Sequence, residues 1–159
     1  MGMGAQIVSR AIAAGMARNR TAILMAEGTG CKGHVLGLAK DAWARFPKRC
    51  LDMPICEDMQ VGMAIGMALD GRSSIIIFQR ADFMYRAADQ IVNHLLVWPG
   101  LYHVQLPVTL ISVWGDTPGQ GPQHSKSFDL MPHAYLGELE NQIAKGRTPK
   151  YFEIAKSTL

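Results

Sequence analysis

Cysteine is scarce in this chain. Cys31, Cys50 and Cys56 among 159 residues are an odd, thin set. They exclude a disulfide framework and suit a reducing compartment. Cys31 and His34 have the spacing of half a metal site, but Cys50 and Cys56 are not spaced as a zinc knuckle. Ordinary thiols are the preferred reading, and no metal ligand is expected from this chain. Long apolar runs are also missing: none reaches the ~20 residues that a membrane helix needs. Charge is sparse at 18%, with a net value of +3. The basic residues Arg18, Arg20, Lys32, Lys40, Lys48, Arg49, Arg72 and Lys145 are scattered, with no dense stripe of cations and aromatics. A nucleic-acid partner is therefore not expected. Acid is absent until Glu27, and Arg10, Arg18 and Arg20 precede it, a weak transit-peptide look. Ile7, Ala11, Ala14 and Gly15 also mark one face of an ordinary amphipathic helix, which is the preferred reading. A soluble, cytoplasmic-type protein with no membrane partner is expected.

What is present is apolar and globular. The hydrophobic fraction is 48%, enough for a real core in one domain of this length. No repeat or low-complexity linker interrupts it. Helical patterns alternate with short apolar runs. Helices are expected over Ala5–Arg18, Leu36–Phe46, from Pro54 through DMPICEDMQVGMAIGMALDG, over Met84–Trp98 and over Leu136–Ala144. Strands are expected in Thr21–Ala26, Arg49–Asp52, Ser74–Phe78, Val108–Trp114 and Tyr151–Ala155. SIIIF and VTLISVW are continuous and β-branched, as strands buried on both faces are. The alternation predicts an α/β fold, three layers deep (α/β/α), with a mainly parallel sheet. Ligands in such sheets sit beyond the carboxyl ends of the strands. The loops 27–33, 53–58, 79–83 and 115–125 each follow an expected strand, so all of them can converge on one edge.

Two local motifs have competing readings. EGTGCKG spells G-x-G-x-x-G at Gly28, Gly30 and Gly33, with Asp52 about twenty residues on, as in dinucleotide-binding turns. Its strand is not the first element, however, and Lys32 crowds the turn, so a glycine-bent loop is preferred. Glu57 and Asp58 open the helix after Pro54, where acids suit the positive end of the helix dipole. Gly62 and Gly66 leave one helix face bare enough for a neighbouring backbone, and Met59, Met63 and Met67 add an adaptable apolar stripe. Residue type alone favours a structural role for Glu57.

Three separated stretches change that balance. MPICEDMQVGMAIGMALDG, FQRADFMYRAADQIVN and GPQHS follow the order of TPISE-x3-VGMAIG-x-AL-x-G, F-x-x-ADFM-x-x-A-x-DQIVN and GPQHS. The chain resembles the pyrimidine-binding domain of the β subunit of thiamine-diphosphate-dependent 2-oxoacid (pyruvate or branched-chain) dehydrogenases, which have the transketolase-like fold. The stretch IVSRAIAAGMARNRTAILMAEG is similar to that family's first helix and strand, so the resemblance spans about Gln6 to Ser127.

The resemblance implies roles at particular residues. Glu57 matches the acid that hydrogen-bonds the aminopyrimidine ring nitrogen of thiamine diphosphate and favours the tautomer that activates the thiazolium carbon. Phe83 matches the aromatic residue stacked on that ring. His124 matches the histidine near the substrate. Glu27 matches an acid close to the cofactor. The expected catalytic residues are thus Glu57 and His124, and the expected cofactor-binding residues are Glu27, Glu57 and Phe83. The diphosphate and magnesium motif, G-D-G followed by N-N, is absent: Asp70-Gly71 is not followed by such a pair. In the family that motif belongs to an α-type subunit. The implied partner is therefore an α-type chain holding magnesium and the diphosphate, with a small 2-oxoacid as substrate. After GPQHSKS the chain departs from the pattern. FDLMPHAY runs almost at once into LGELENQIAKGRTPKYFEIAKS, omitting a helix and strand of the type GLKVVAP, and no C-terminal domain follows. A single pyrimidine-binding-type domain over 1–159, shortened after about residue 128, is expected. It would be inactive alone and would form a homo-oligomer. The alternative is a non-catalytic, self-assembling binding module that keeps the fold.

Overall fold

The computed structural model describes residues 2–31, 33–115 and 121–159. The expected crowding by Lys32 and part of the 115–125 loop lie outside them. Ten regular elements follow in chain order: α1 (Met3–Arg18), β1 (Ile23–Ala26), α2 (Lys40–Arg45), β2 (Cys50–Asp52), α3 (Glu57–Leu69), β3 (Ser74–Phe78), α4 (Trp98–Leu101), β4 (Val108–Trp114), α5 (Leu139–Lys145) and β5 (Lys150–Ala155). The five strands form one parallel sheet in the order β2-β1-β3-β4-β5.

Strand alternation explains the layers. Leu24 and Ala26 of β1 point into one core with Ile75, Ile77, Ile111, Val113, Phe152 and Ile154, beneath α1, α2 and α5. Met25, Ile76, Phe78, Val108, Leu110 and Tyr151 point into a second core, beneath α3 and the segment from Ala81 to Leu95. A strand buried on both faces needs apolar residues at every position, and all five residues of SIIIF are buried. The expected α/β/α sandwich is the observed one.

The helical layers pack closely. A Cβ on Gly15 would stand 2.6 Å from Ile143 Cβ, so α1 and α5 meet at a contact only glycine allows. Arg49 closes the end of α1, where carbonyls lack helical partners: its guanidinium donates to the carbonyls of Met16, Asn19 and Ala22 and lies over the Phe46 ring.

Three expected helices differ. The one expected from Leu36 begins at Lys40, because His34, Val35, Leu36 and Gly37 run left-handed, with φ of 43°, 51°, 59° and 87°. Buried Val35 is drawn into the first core by that turn. The helix after Pro54 starts only at Glu57. The long helix expected over Met84–Trp98 is instead a 3-10 helix (Ala81–Ala87), a π-helix (Gln90–Leu95) and then α4. Across these changes of pitch Met84, Ala87, Ile91 and Leu95 all remain in the core.

Strand order also locates a crevice. The chain steps from β1 outward to β2, then returns to the other side of β1 to lay down β3. Loops leaving β1 and β3 therefore diverge to opposite faces, and ligands of parallel sheets bind at such a switch point. Glu27 follows β1 there, and Gln79 follows β3. The two loops are tied by Gln79 Nε2 donating to the Glu27 carbonyl at 3.4 Å.

Candidate functional site at the carboxyl edge of the sheet

Glu57 is the first residue of α3, and its side chain is only 3% exposed. Acid at this position suits the helix dipole, but one oxygen is left over. Glu57 Oε2 accepts no hydrogen bond from the described residues. Arg86 Nε lies 3.3 Å away, at ion-pair distance but outside hydrogen-bond geometry. One turn along α3, Gln60 is also buried; its Nε2 donates to the Pro54 carbonyl at 3.3 Å, while its Oε1 has no partner among the described residues. Leaving a buried acceptor unmatched costs about 1–3 kcal/mol. Two such oxygens on one helix end make a place for a donor from elsewhere.

Glu27 belongs to the same cluster. Burial pushes its carboxyl above the ordinary carboxylate range, the neighbouring Glu57 charge pushes it further, and a hydrogen bond from Gln60 works in the opposite sense. The two acids at the switch point thus sense each other.

Phe83 and His124 form the other half. Their rings meet edge to face, with centroids 5.7 Å apart and planes at 86°. Phe83 lies on the 3-10 segment after β3, and His124 ends a short turn (Pro122–His124) after β4. In a 3-10 helix, side chains three apart share a face. Phe83 and Arg86 therefore face the same way, and this segment links the ring pair to the acid pair.

The histidine turn is pinned from below. Buried Arg80 donates to the carbonyls of Gly115 and His124 at 3.4 and 3.3 Å. Asp82 Oδ1 accepts from the Lys126 amide, and Tyr85 Oη donates to the Ser127 carbonyl. Glu153 of β5, with a side chain 5% exposed, accepts from the Ser127 hydroxyl at 2.7 Å and the Phe128 amide at 3.1 Å. Tyr151 donates to the same carboxylate, and burial raises its phenol far above the usual range.

All four sequence-derived residues thus lie on segments at one sheet edge; Phe83 and His124 touch directly, and Glu27 senses the charge of Glu57. Sequence reasoning missed Gln60, Arg80, Arg86 and Glu153. Arg80 and Arg86 lie inside the FQRADFMYRAADQIVN stretch, which was the available signal; Glu153 had none beyond the tail pattern. The glycine turn has another role: Asp52 Oδ1 accepts the amides of Gly28 and Thr29 at 2.7 and 3.1 Å, closing the loop on itself. That spends the acid a dinucleotide ribose would need. Among the described residues no cluster of His, Cys, Asp and Glu could hold a metal ion, and no helix is long and apolar enough to cross a membrane.

Comparison with known proteins gives a consistent picture. A family model described as the transketolase pyrimidine-binding domain matches residues 4–140. The chain is 31% identical over 128 residues to the 3-methyl-2-oxobutanoate dehydrogenase subunit beta of Mycobacterium tuberculosis, covering 78% of this chain and 36% of that protein. It is 29% identical over 129 residues to the pyruvate dehydrogenase E1 component subunit beta of Mesostigma viride, covering 78% and 39%. It is 34% identical over 122 residues to the 1-deoxy-D-xylulose-5-phosphate synthase of Thermus thermophilus, covering 76% and 17%. These relatives are thus much longer than the chain. Among solved structures, a split-gene transketolase described as an inactive beta4 tetramer superimposes with a TM-score of 0.70 at 20% identity, covering 96% of this chain and 51% of that one. That likeness concerns the fold.

Proposed function

The chain belongs to the transketolase pyrimidine-binding domain family, and on that premise we propose that its carboxyl edge is the aminopyrimidine half of a thiamine diphosphate site. The observation that carries the reading is the orphaned buried oxygen of Glu57, beside a second orphan on Gln60. Both are acceptors; an aminopyrimidine offers its amino group and, in its protonated or imino form, a ring N–H. Thiamine diphosphate, when bound, would supply carbanion-like chemistry toward a 2-oxoacid; the protein's part is binding and electronic tuning.

The chain's own residues divide that part among them. Glu57 holds a proton shared with the ring nitrogen. Gln60 receives the amino group. Phe83 offers a flat apolar face to the ring. His124, held by Arg80 and by its edge contact with Phe83, lies beside that face and orients an anionic substrate. Glu27, whose carboxyl is raised by burial and by the Glu57 charge, is the second acid of the cluster. Magnesium and the diphosphate would be held by an α-type partner carrying G-D-G and N-N, because this sequence has no such pair. The single domain is then half of a decarboxylating 2-oxoacid dehydrogenase site and does not turn over substrate alone.

A second reading has its own support. The outward face of α3 exposes Met59, Met63 and Leu69, and a Cβ on Gly66 would meet nothing within 4 Å. Such a face suits assembly without chemistry. Affinity purification from source cells, with the co-purifying chains identified, separates the two. Recovery of a chain with G-D-G and N-N, and decarboxylation by the pair that Glu57→Gln abolishes, supports the half-site. Recovery of copies of this chain alone, with assembly unchanged by Glu57→Gln, supports the module.

A further inference from the structure

We propose that Arg86 is a displaceable counter-ion, which closes Glu57 in the ligand-free chain and turns out when an aminopyrimidine ring takes the same carboxylate oxygen. This rests on the half-site reading above and adds a control to it. The pattern shared with the family, F-x-x-ADFM-x-x-A, leaves this position unspecified.

The geometry has three parts. Glu57 is buried at 3% exposure, whereas the Arg86 side chain is 74% exposed. The carboxylate is therefore fixed and the guanidinium is free to swing. Arg86 Nε approaches Oε2, the oxygen that lacks a hydrogen bond. The contact is thus electrostatic, without the directed bonds that would lock it. Finally, Arg86 shares a 3-10 face with Phe83. Arg86 thus reaches Glu57 from the segment that also carries Phe83. A guanidinium against Oε2 competes with a ring N–H for that oxygen, so ring binding is expected to displace the cation.

The displacement has a definite cost. An ion pair with one exposed partner contributes little, and removing it should tighten ring binding roughly two- to fivefold. Salt weakens exposed pairs. The affinity of the native chain should therefore rise with ionic strength toward that of an arginine-free variant.

The test uses the whole chain and the neutral hydroxymethyl-aminopyrimidine that forms the ring half of thiamine, which carries neither phosphate nor thiazolium charge. Its affinity is measured by calorimetry for the native chain, Arg86→Ala and Arg86→Lys at low and high salt, and again for each in a Glu57→Gln background. The account expects Arg86→Ala to bind two- to fivefold tighter, Arg86→Lys to restore weaker binding, and the difference to vanish in high salt and in the Glu57→Gln background. Equal or weaker binding by Arg86→Ala overturns the counter-ion and leaves the pyrimidine site standing. No saturable binding by either chain up to millimolar ligand overturns both. Circular dichroism of Arg86→Ala checks folding, which an exposed side chain should leave unchanged.

Discussion

The Phe83 and His124 rings meet in a T-shaped pair, with planes at 86° and 5.7 Å between centroids. The two residues come from loops after different strands, β3 and β4. Their contact joins a ring-stacking face to a polar, titratable group.

Removing one ring tests that join. Phe83→Ala deletes an aromatic pair that contributes about 0.5–1.5 kcal/mol beyond its buried area, so thiamine diphosphate binding by the partnered chain should weaken by about two- to tenfold. Phe83→Tyr should restore most of it. Titration of intrinsic fluorescence reads both. An unchanged affinity in Phe83→Ala would remove Phe83 from the site.

Glu153 anchors the irregular segment after the histidine turn. Its carboxylate accepts from Tyr151, Ser127 and Phe128. Glu153→Ala leaves those donors unmatched and should cost about 3 kcal/mol in a urea titration; Ser127→Ala should cost about 1 kcal/mol. The His124 ring resonance should shift in both variants, because the clamp sits three residues beyond it.

Glu27 makes stability depend on pH. Its carboxyl is raised in the folded chain, first by burial and then by Glu57, so the folded state binds more protons than the unfolded one between the ordinary value and the raised one. Stability contributed there is present at low pH and lost as pH rises through that window. Glu27→Gln should flatten this fall and leave the chain more stable at neutral pH. Urea midpoints measured from pH 4 to pH 7 show the sign; a steeper fall in the variant would contradict it.

The left-handed turn predicts a stabilising loss of side chain. Leu36 is 44% exposed with φ of 59°. A left-handed L-residue costs roughly 1–2 kcal/mol that glycine avoids. Leu36→Gly should therefore raise stability by about 0.5–1 kcal/mol, after the extra backbone entropy of glycine is counted. A drop in the urea midpoint would mean that the exposed Leu36 side chain contributes more than its strain.

Much of this was legible in the sequence, for local reasons. SIIIF and VTLISVW announce doubly buried strands because both faces need apolar groups, and β3 and β4 occupy those residues. Alternation of helix and strand then fixes a parallel sheet, and its carboxyl edge gathers the loops with Glu27, Glu57, Phe83 and His124. The strand order, with its switch at β1 and β3, depends on pairing between distant segments. So do the clamp from Glu153 to Ser127 and the approach of Arg86 to Glu57. The left-handed stretch at Leu36 and Gly37 was missed because Leu36 opens an apolar helical pattern; burial of the neighbouring Val35 in the first core holds the turn instead. The segment from Met84 to Trp98 was read as one helix because its apolar spacing is helical, and that spacing does not distinguish an α-helix from the succession of 3-10, π and α turns observed.

The most direct test of the central claim is an NMR titration of the partnered full chain with thiamine diphosphate, following contacts between the pyrimidine methyl protons and protein side chains. The account predicts contacts to the Phe83 ring, with binding at least about tenfold weaker in Glu57→Gln, as loss of a charged hydrogen-bond partner requires. Contacts to another surface, or an unchanged titration in Glu57→Gln, would contradict it.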